Sequence, residues 1–284
     1  MAVAEVNFFS QNLLRFAKFT IVLPTDKTYI NDEDKPKKAP AMKTLYLLHG
    51  ILDNYFCWNY QTRIQRLADE LDICVVMPDG DNKFYRDSEI SGDYYGKLIG
   101  EELIEFTRNT FNLSNKREDT YIGGCSMGGY GALMLALEYP DTFSKVIALS
   151  GGFNLEMMMA TNNESREFIY TKRQYETMFG VEDISELLGK NNLKTDYYAL
   201  AQALKDSGKP LPQIYSECGT EDWLYEYNVT FKDKMIAMGY DVTWVTGPGE
   251  HDWDFWDKGI EHALKWLGLK PSDKWVSGGK LVMK

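Results

Sequence analysis

Apolar residues in this 284-residue chain follow two alternating patterns. Near the N terminus, segments 3–9 and 15–23 alternate apolar and polar positions, which predicts two antiparallel edge strands. Short continuous apolar runs then predict buried strands at 44–48, 73–77, 120–123, 145–150, 213–218 and 241–245. Helical periodicity predicts helices at 63–71, 94–111, 129–137, 224–238 and 254–267. Because short apolar strands alternate with helices, we predict an α/β protein with a mostly parallel central sheet and helices on both faces.

One segment, 151–200, interrupts this alternation because it is too long for a single crossover helix. It contains three consecutive methionines, 157–159, whose adaptable side chains suit an apolar pocket. We interpret it as a cap-like insertion above the carboxyl edge of the sheet. An elaborated crossover that touches no substrate is the alternative. The whole chain, 1–284, is then a single domain, in which 270–284 forms a C-terminal tail that packs between subunits or has no role.

Charge and composition narrow the classes of partner. The net charge of −11 and the isoelectric point near 4.9 argue against nucleic acid or an anionic membrane surface. No apolar run approaches the ~20 residues of a membrane span, and the first residues lack the pattern of a signal peptide. The four cysteines have no Cys-x-x-Cys spacing, so we expect reduced, mostly buried thiols in a cytoplasmic protein.

The sequence Gly-Cys-Ser-Met-Gly at 124–128 lies between a predicted strand and a predicted helix that opens with small residues. Gly-x-Ser-x-Gly on a tight strand-to-helix turn is the nucleophile elbow, in which the serine hydroxyl stands above the carboxyl edge of a parallel sheet. A glycine-rich structural turn is the alternative. We predict that Ser126 is a nucleophile.

A serine nucleophile needs a general base, and the chain has three histidines. His262 falls on a predicted helical face, and His49 directly follows a buried strand, where shaping a loop is the simpler role. His251 lies in a loop between the last predicted strand and the last predicted helix, where the order Ser…Asp…His puts the base. We predict His251 as the base, with a purely structural histidine as the alternative.

The residue that orients the base should follow the preceding strand. Asp222 lies in the turn after that strand, and we favour it over Glu221, Asp252 and Asp254. A metal site formed by Glu250, His251 and Asp252 is a rival interpretation. It lacks a second clustered histidine or cysteine, so we predict no metal.

An oxyanion formed during acyl transfer needs two N–H donors. We predict the backbone amide of Met127, which follows the nucleophile, and that of Ile51, where Gly50 lets the loop turn into the site.

Four tryptophans lie within a few residues of these loops: Trp58, Trp223, Trp253 and Trp256. Each can line a pocket or pack in the core. We predict Trp223 and Trp253 as substrate-binding residues.

The combined motifs resemble the esterase D branch of the α/β hydrolases, most closely the bacterial tributyrin esterases. Feruloyl esterases, acetyl-xylan esterases and S-formylglutathione hydrolases are related. The resemblance covers roughly residues 1–267, and its segments are 47–50, 124–131, 218–226 and 250–253. It implies Ser126, Asp222 and His251 as nucleophile, acid and base, and Ile51 and Met127 as the oxyanion donors.

The resemblance further implies hydrolysis of short-chain acyl esters through an acyl-enzyme, without metal or cofactor. A carbohydrate-directed feruloyl or acetyl-xylan esterase and an S-formylglutathione hydrolase are alternatives. An acyltransferase and a non-catalytic binding protein with a hydrolase fold are more distant ones. We expect a small-molecule or carbohydrate-linked ester as substrate. The acyl length, the alcohol and homo-oligomer formation stay open at the level of sequence.

Overall fold

The computed structural model describes residues 1–162, 169–189, 192–271 and the backbone of 275–276. An eight-stranded sheet forms its centre. The strands are β1 (Ala2–Ser10), β2 (Arg15–Leu23), β3 (Lys43–Leu48), β4 (Ile73–Pro78), β5 (Thr120–Cys125), β6 (Lys145–Leu149), β7 (Gln213–Gly219) and β8 (Val242–Gly247). Their spatial order is β1-β2-β4-β3-β5-β6-β7-β8. Of these eight, β2 alone runs opposite to the other seven, so the predicted α/β class with a mostly parallel sheet is confirmed.

Helices follow most of the strands. They are α1 (Cys57–Gln61), α2 (Ile64–Leu71), α3 (95–110), α4 (Met127–Glu138), α5 (Leu155–Met159), α6 (Lys172–Phe179), α7 (Tyr197–Asp206), α8 (Tyr225–Ala237) and α9 (Trp253–Trp266). The predicted helix 94–111 differs in one respect, because α3 contains a π-helical turn at Leu98–Glu102. Within the described residues, no helix is long and apolar enough to cross a membrane.

Alternating side chains of each central strand supply two separate cores. In β3, Leu45 and Leu47 join the cluster that includes residues of α2 and α9. Tyr46 and Leu48 point to the opposite face and join the cluster that includes α3 and α4. All residues of α4 from Met127 to Leu137 are buried, which explains why small and apolar residues fill it. A sheet covered on both faces therefore holds the central strands rigidly.

The carboxyl ends of the central parallel strands meet at one edge of the sheet. In register, Cys125 at the end of β5 lies beside Leu149 at the end of β6, and Gly219 of β7 lies beside Gly247 of β8. The loops that leave these ends contain the residues predicted to carry the chemistry.

Between β6 and β7, the segment predicted as a cap contains α5, α6, a 3₁₀ turn at Ile184–Leu187 and the start of α7, which continues beyond residue 200. A hydrogen bond joins this segment to α4: Tyr130 Oη of α4 donates to the carbonyl of Thr195 at 2.8 Å. Residues 163–168 and 190–191 of this prediction lie outside the described residues. So do 272–274 and 277–284 of the predicted tail, whereas Trp275–Val276 pairs antiparallel with Thr28–Tyr29.

Candidate active site

Ser126 occupies the tight turn between β5 and α4. Its φ of 53° and ψ of −120° are a conformation that costs about 1–3 kcal/mol for a residue with a side chain. The flanking glycines are required by space: a Cβ on Gly124 would lie 2.6 Å from the Gly128 backbone, and one on Gly128 would lie 2.5 Å from the Leu48 carbonyl. The turn therefore places the serine at the N-terminus of α4 and in the cavity wall, as the elbow pattern predicts.

The structure brings Ser126, His251 and Asp222 together from three different strand ends. His251 Nε2 lies 3.0 Å from Ser126 Oγ. On the other side of the ring, Nδ1 lies 3.0 and 2.9 Å from the two carboxylate oxygens of Asp222. The arrangement can transfer a proton from the serine to the imidazole while the carboxylate fixes the ring's orientation.

The Asp222 carboxylate is buried, and its side chain has no exposed area. Burial alone would raise its pKa, but the hydrogen bond and charge of His251 outweigh this and hold the pKa of Asp222 below its usual value. The backbone N–H of Leu224 donates to the same carboxylate at 2.8 Å. The lowered pKa favours the ionised form of Asp222, which gives the imidazole an anionic partner.

Two further residues, Ser150 and Trp256, support this carboxylate. The sequence pattern singled out Trp256 but not Ser150. Ser150, fully buried at the end of β6, places its hydroxyl near the side chain of Asp222 and helps to lower the pKa of that carboxylate. Trp256 Nε1 donates to Ser150 Oγ at 3.0 Å, and the indole packs edge-on against the His251 ring with centroids 4.9 Å apart. The position of Ser150 directly after a parallel strand was the signal available in the sequence.

The predicted oxyanion donors, Ile51 and Met127, both line the cavity above Ser126. In the described part of the chain neither amide has a protein acceptor. The Met127 amide lies at the N-terminus of α4, where the helix dipole favours negative charge. The pair is thus free to bind an oxyanion.

Hydrogen bonds from the neighbouring loop, 79–85, fix the loop that contains Ile51. His49 Nε2 accepts from the Gly80 N–H at 2.9 Å, so its Nδ1 donates to the Gly50 carbonyl at 2.7 Å. Tyr85 Oη donates to the His49 carbonyl at 2.8 Å. The prediction that His49 shapes a loop is confirmed.

Other candidates for the acidic role are engaged elsewhere. Glu221 accepts from the Gly249 N–H at 2.6 Å, and Asp252 caps α9 by accepting from the Phe255 N–H at 2.9 Å. The third histidine, His262, lies on α9 with Nδ1 3.1 Å from Glu217. Among the described residues, Asp222 supplies the carboxylate that faces the imidazole.

A cavity of about 490 Å³ opens above Ser126. Its lining is Ile51, Phe84, Ser126, Met127, Gly152, Asn154, Met157, Met158, Ile169, Tyr175, Trp223, Leu224 and His251. Six of these come from the 151–200 segment, so that segment forms one wall. Trp223 is 55% exposed at the cavity, with its ring 5.2 Å from that of His251.

Trp253, predicted as a second substrate contact, is not among the residues that line this cavity. Its ring packs edge-on against both Trp58 and Trp256, with centroid separations of 5.0 Å. Trp253 begins α9, and a side chain at that position turns toward the core rather than toward His251, its near neighbour in sequence. The structure thus places Trp223 and Trp253 in different environments.

A strand order of 1-2-4-3-5-6-7-8 with a serine elbow and an ordered Ser-His-Asp set defines a serine hydrolase of the α/β-hydrolase class. Residues 10–267 match a protein-family model described as "Putative esterase". The match covers most of the chain, which therefore belongs to this esterase family.

Known relatives agree with this assignment. An acetyl esterase of Caldicellulosiruptor saccharolyticus is 37% identical over 273 residues, which are 96% of this chain and 100% of the relative. A fluorophosphonate-binding serine hydrolase F of Staphylococcus aureus, solved with substrate bound, has 29% identity and a TM-score of 0.80, covering 94% of this chain and 98% of that one. S-formylglutathione hydrolase from the same organism has 29% identity, a TM-score of 0.78 and the same coverage. The protein is a serine esterase, a carboxylic ester hydrolase.

Proposed function

We propose that Ser126, His251 and Asp222 hydrolyse short-chain acyl esters in two steps. His251 takes the Ser126 proton as Oγ attacks the acyl carbonyl, and a tetrahedral intermediate forms. The carbonyl re-forms as the bond to the alcohol breaks, and His251 gives its proton to the leaving oxygen. Water then attacks the acyl-enzyme with His251 again as base, releasing the acid and free Ser126. The single observation that carries this proposal is the 3.0 Å contact between His251 Nε2 and Ser126 Oγ.

In both steps the carbonyl oxygen becomes an oxyanion, for which we propose the Ile51 and Met127 amides as donors. Their position in the cavity wall and their lack of acceptors in the described chain support this role. Such donors contribute most where water is excluded, and loss of one typically lowers the rate by about 10²–10³.

The apolar wall supports a short hydrocarbon acyl group, and the 37% identical acetyl esterase supports an acetyl-sized one. We propose that 151–200 acts as the cap that sets this size and that Trp223 contacts substrate. The S-formylglutathione hydrolase neighbour supports a short acyl thioester as a second candidate substrate. All four cysteines are free and buried, which supports the proposed cytoplasmic location.

Loss of Ser126 tests the mechanism. We expect Ser126→Ala to lower kcat/KM for p-nitrophenyl acetate by about 10⁴-fold or more, because no other nucleophile replaces it. A fluorophosphonate probe should label the wild-type protein and not this variant, as read by intact-mass spectrometry. The control is Ser185→Ala, which removes an exposed serine outside the cavity lining. Near-wild-type activity in Ser126→Ala would refute the assignment.

Substrate preference needs one panel measured side by side. It comprises p-nitrophenyl acetate, butyrate and octanoate, methyl ferulate, acetylated xylan and S-formylglutathione. If the cavity is fitted to a short acyl group, acetate and butyrate should exceed octanoate at least tenfold in kcat/KM. A hundredfold preference for S-formylglutathione would instead favour the thioester.

A further inference from the structure

Asn154 is a buried polar side chain in the largely apolar wall of the catalytic cavity. It is 3% exposed and lines the cavity beside Met157. It stands directly before α5, where an asparagine side chain normally accepts a hydrogen bond from the first helical turn. Here it makes no such bond. Over the described ranges, its side chain makes one hydrogen bond, a long one from Nδ2 to Met157 Sδ at 4.0 Å.

The start of α5 does not depend on this side chain. The Asn154 carbonyl itself accepts from the N–H groups of Met157 and Met158, at 3.0 and 3.2 Å. A thioether is a weak acceptor, and a buried amide left without a good partner costs about 1–3 kcal/mol. A side chain at a cavity wall whose one hydrogen bond is this weak one can gain a better partner from a ligand.

The cavity also restricts what that ligand group can be. No lysine, arginine, aspartate or glutamate is among its described lining residues, so away from the two oxyanion amides a charged group would enter without a charged partner. A carboxamide both donates and accepts, and a hydroxyl does the same. At the same cavity, the exposed indole of Trp223 offers a flat apolar face to the hydrocarbon part of a hydroxylated molecule.

We propose that Asn154 binds a hydroxyl group carried by the substrate a few bonds from the scissile ester. It thereby selects esters of hydroxylated molecules, such as partly acylated polyols or sugars, over esters built only from hydrocarbon. This inference rests on the proposed function, because it concerns the same cavity and the same reaction. A few polar groups placed in an apolar pocket are the usual means of orienting a ligand.

The test compares substrates that differ only by a hydroxyl in place of a methyl group. On the alcohol side the pair is 2-hydroxyethyl acetate and propyl acetate. On the acyl side it is ethyl 3-hydroxybutyrate and ethyl 3-methylbutyrate. The measured quantity is the ratio of kcat/KM within each pair, which cancels changes in the amount of active enzyme. Acid release is followed by pH-stat, so no chromophore enters the cavity.

Three variants are compared with the wild type. Asn154→Leu keeps the size of the side chain and removes both polar atoms. Asn154→Ser withdraws the amide but keeps a residue suited to the start of α5, should the leucine variant fold poorly. Met157→Leu is the matched control, since it changes the neighbouring wall residue without removing a good hydrogen-bonding group.

We expect the wild type to prefer the hydroxylated member of at least one pair. That preference should fall about tenfold in Asn154→Leu and in Asn154→Ser, and persist in Met157→Leu. A ratio that is the same in the wild type and both Asn154 variants would overturn the inference while leaving ester hydrolysis standing. Wild-type rates no higher than those of Ser126→Ala on all four esters would overturn the proposed function and this inference with it.

Discussion

Ser126 and Ser150 both stand at the ends of parallel strands in left-handed backbone conformations, with φ of 53° and 47°. Neither is glycine, so each conformation costs free energy that surrounding contacts must offset. Next to Ser150, the Asn228 side chain accepts from the Gly151 N–H and donates to its carbonyl, each at 3.0 Å. One serine thus presents its hydroxyl to the cavity, and the other presents it to Asp222.

Replacement of Ser150 should impair catalysis without touching the substrate. In Ser150→Ala the buried Trp256 N–H loses its acceptor, and Asp222 loses a nearby hydroxyl that lowers its pKa. We expect kcat to fall about tenfold and the free energy of unfolding to fall by about 1–3 kcal/mol. Steady-state kinetics and urea titration measure the two effects.

The matched control for that change is Trp256→Phe, which removes the indole N–H and leaves the Ser150 hydroxyl on Asp222. Its loss in kcat should be smaller than that of Ser150→Ala. Equal losses in kcat for the two variants would place the effect in packing around the ring and contradict a role in supporting Asp222.

The loop 79–85 acts as a unit that shapes the oxyanion loop. Phe84 and Tyr85 have φ of 51° and 56°, and the Tyr85 ring fills space left by two glycines. A Cβ on Gly80 or Gly131 would lie 2.1 or 2.3 Å from this ring. The tightly packed Tyr85 ring therefore fixes the loop 79–85 against the oxyanion loop.

Within the loop 79–85, Asn82 contacts Leu52, the residue after Ile51. Its Oδ1 accepts from the Leu52 N–H at 2.7 Å, and Leu52 itself has a φ of 69°. Without that acceptor the Ile51 amide is less firmly oriented, so Asn82→Ala should lower kcat about two- to tenfold with little change in KM. Lys83→Ala is the control, because Lys83 pairs with Asp93 at 2.8 Å instead. A rise in KM with kcat unchanged would show a role in substrate binding only.

The strands and helices, and the order of the candidate catalytic residues along the chain, could be predicted from the sequence because each depends on local signals. Apolar runs gave the central strands within a few residues, and the spacing of the elbow and of His251 gave the site's order along the chain. Ser150 was missed because its role depends on Trp256, 106 residues away. Trp253 was predicted in the cavity from its closeness to His251 in sequence, yet the start of α9 turns it into a tryptophan cluster. Contacts between distant elements carry no signature in a single sequence.

At the scale of the whole molecule, several carboxylates link stability to pH. Glu102, in the π turn of α3, accepts from Ser10 Oγ and from the Gln11 N–H, each at 2.6 Å, and from Asn12 Nδ2 at 3.1 Å. Partial burial would raise its pKa, but these donors outweigh it and hold the pKa of Glu102 below its usual value. The pKa of Asp222 is lowered as well. Such groups bind fewer protons in the folded state than in the unfolded state, so stability rises with pH through the acidic range.

Glu102 allows this linkage to be measured away from the active site, because it ties the β1–β2 turn to α3. Its contribution is fully present above its unfolded-state pKa of about 4.3 and is lost as pH falls through the lower folded-state value. Glu102→Gln should therefore have a lower Tm than the wild type at pH 6, and the two Tm values should converge toward pH 3. Glu105→Gln, an exposed site on the same helix, is the control and should follow the wild type throughout. A difference in Tm that stays constant from pH 6 to pH 3 would mean that shape, and not the charge of Glu102, holds the turn.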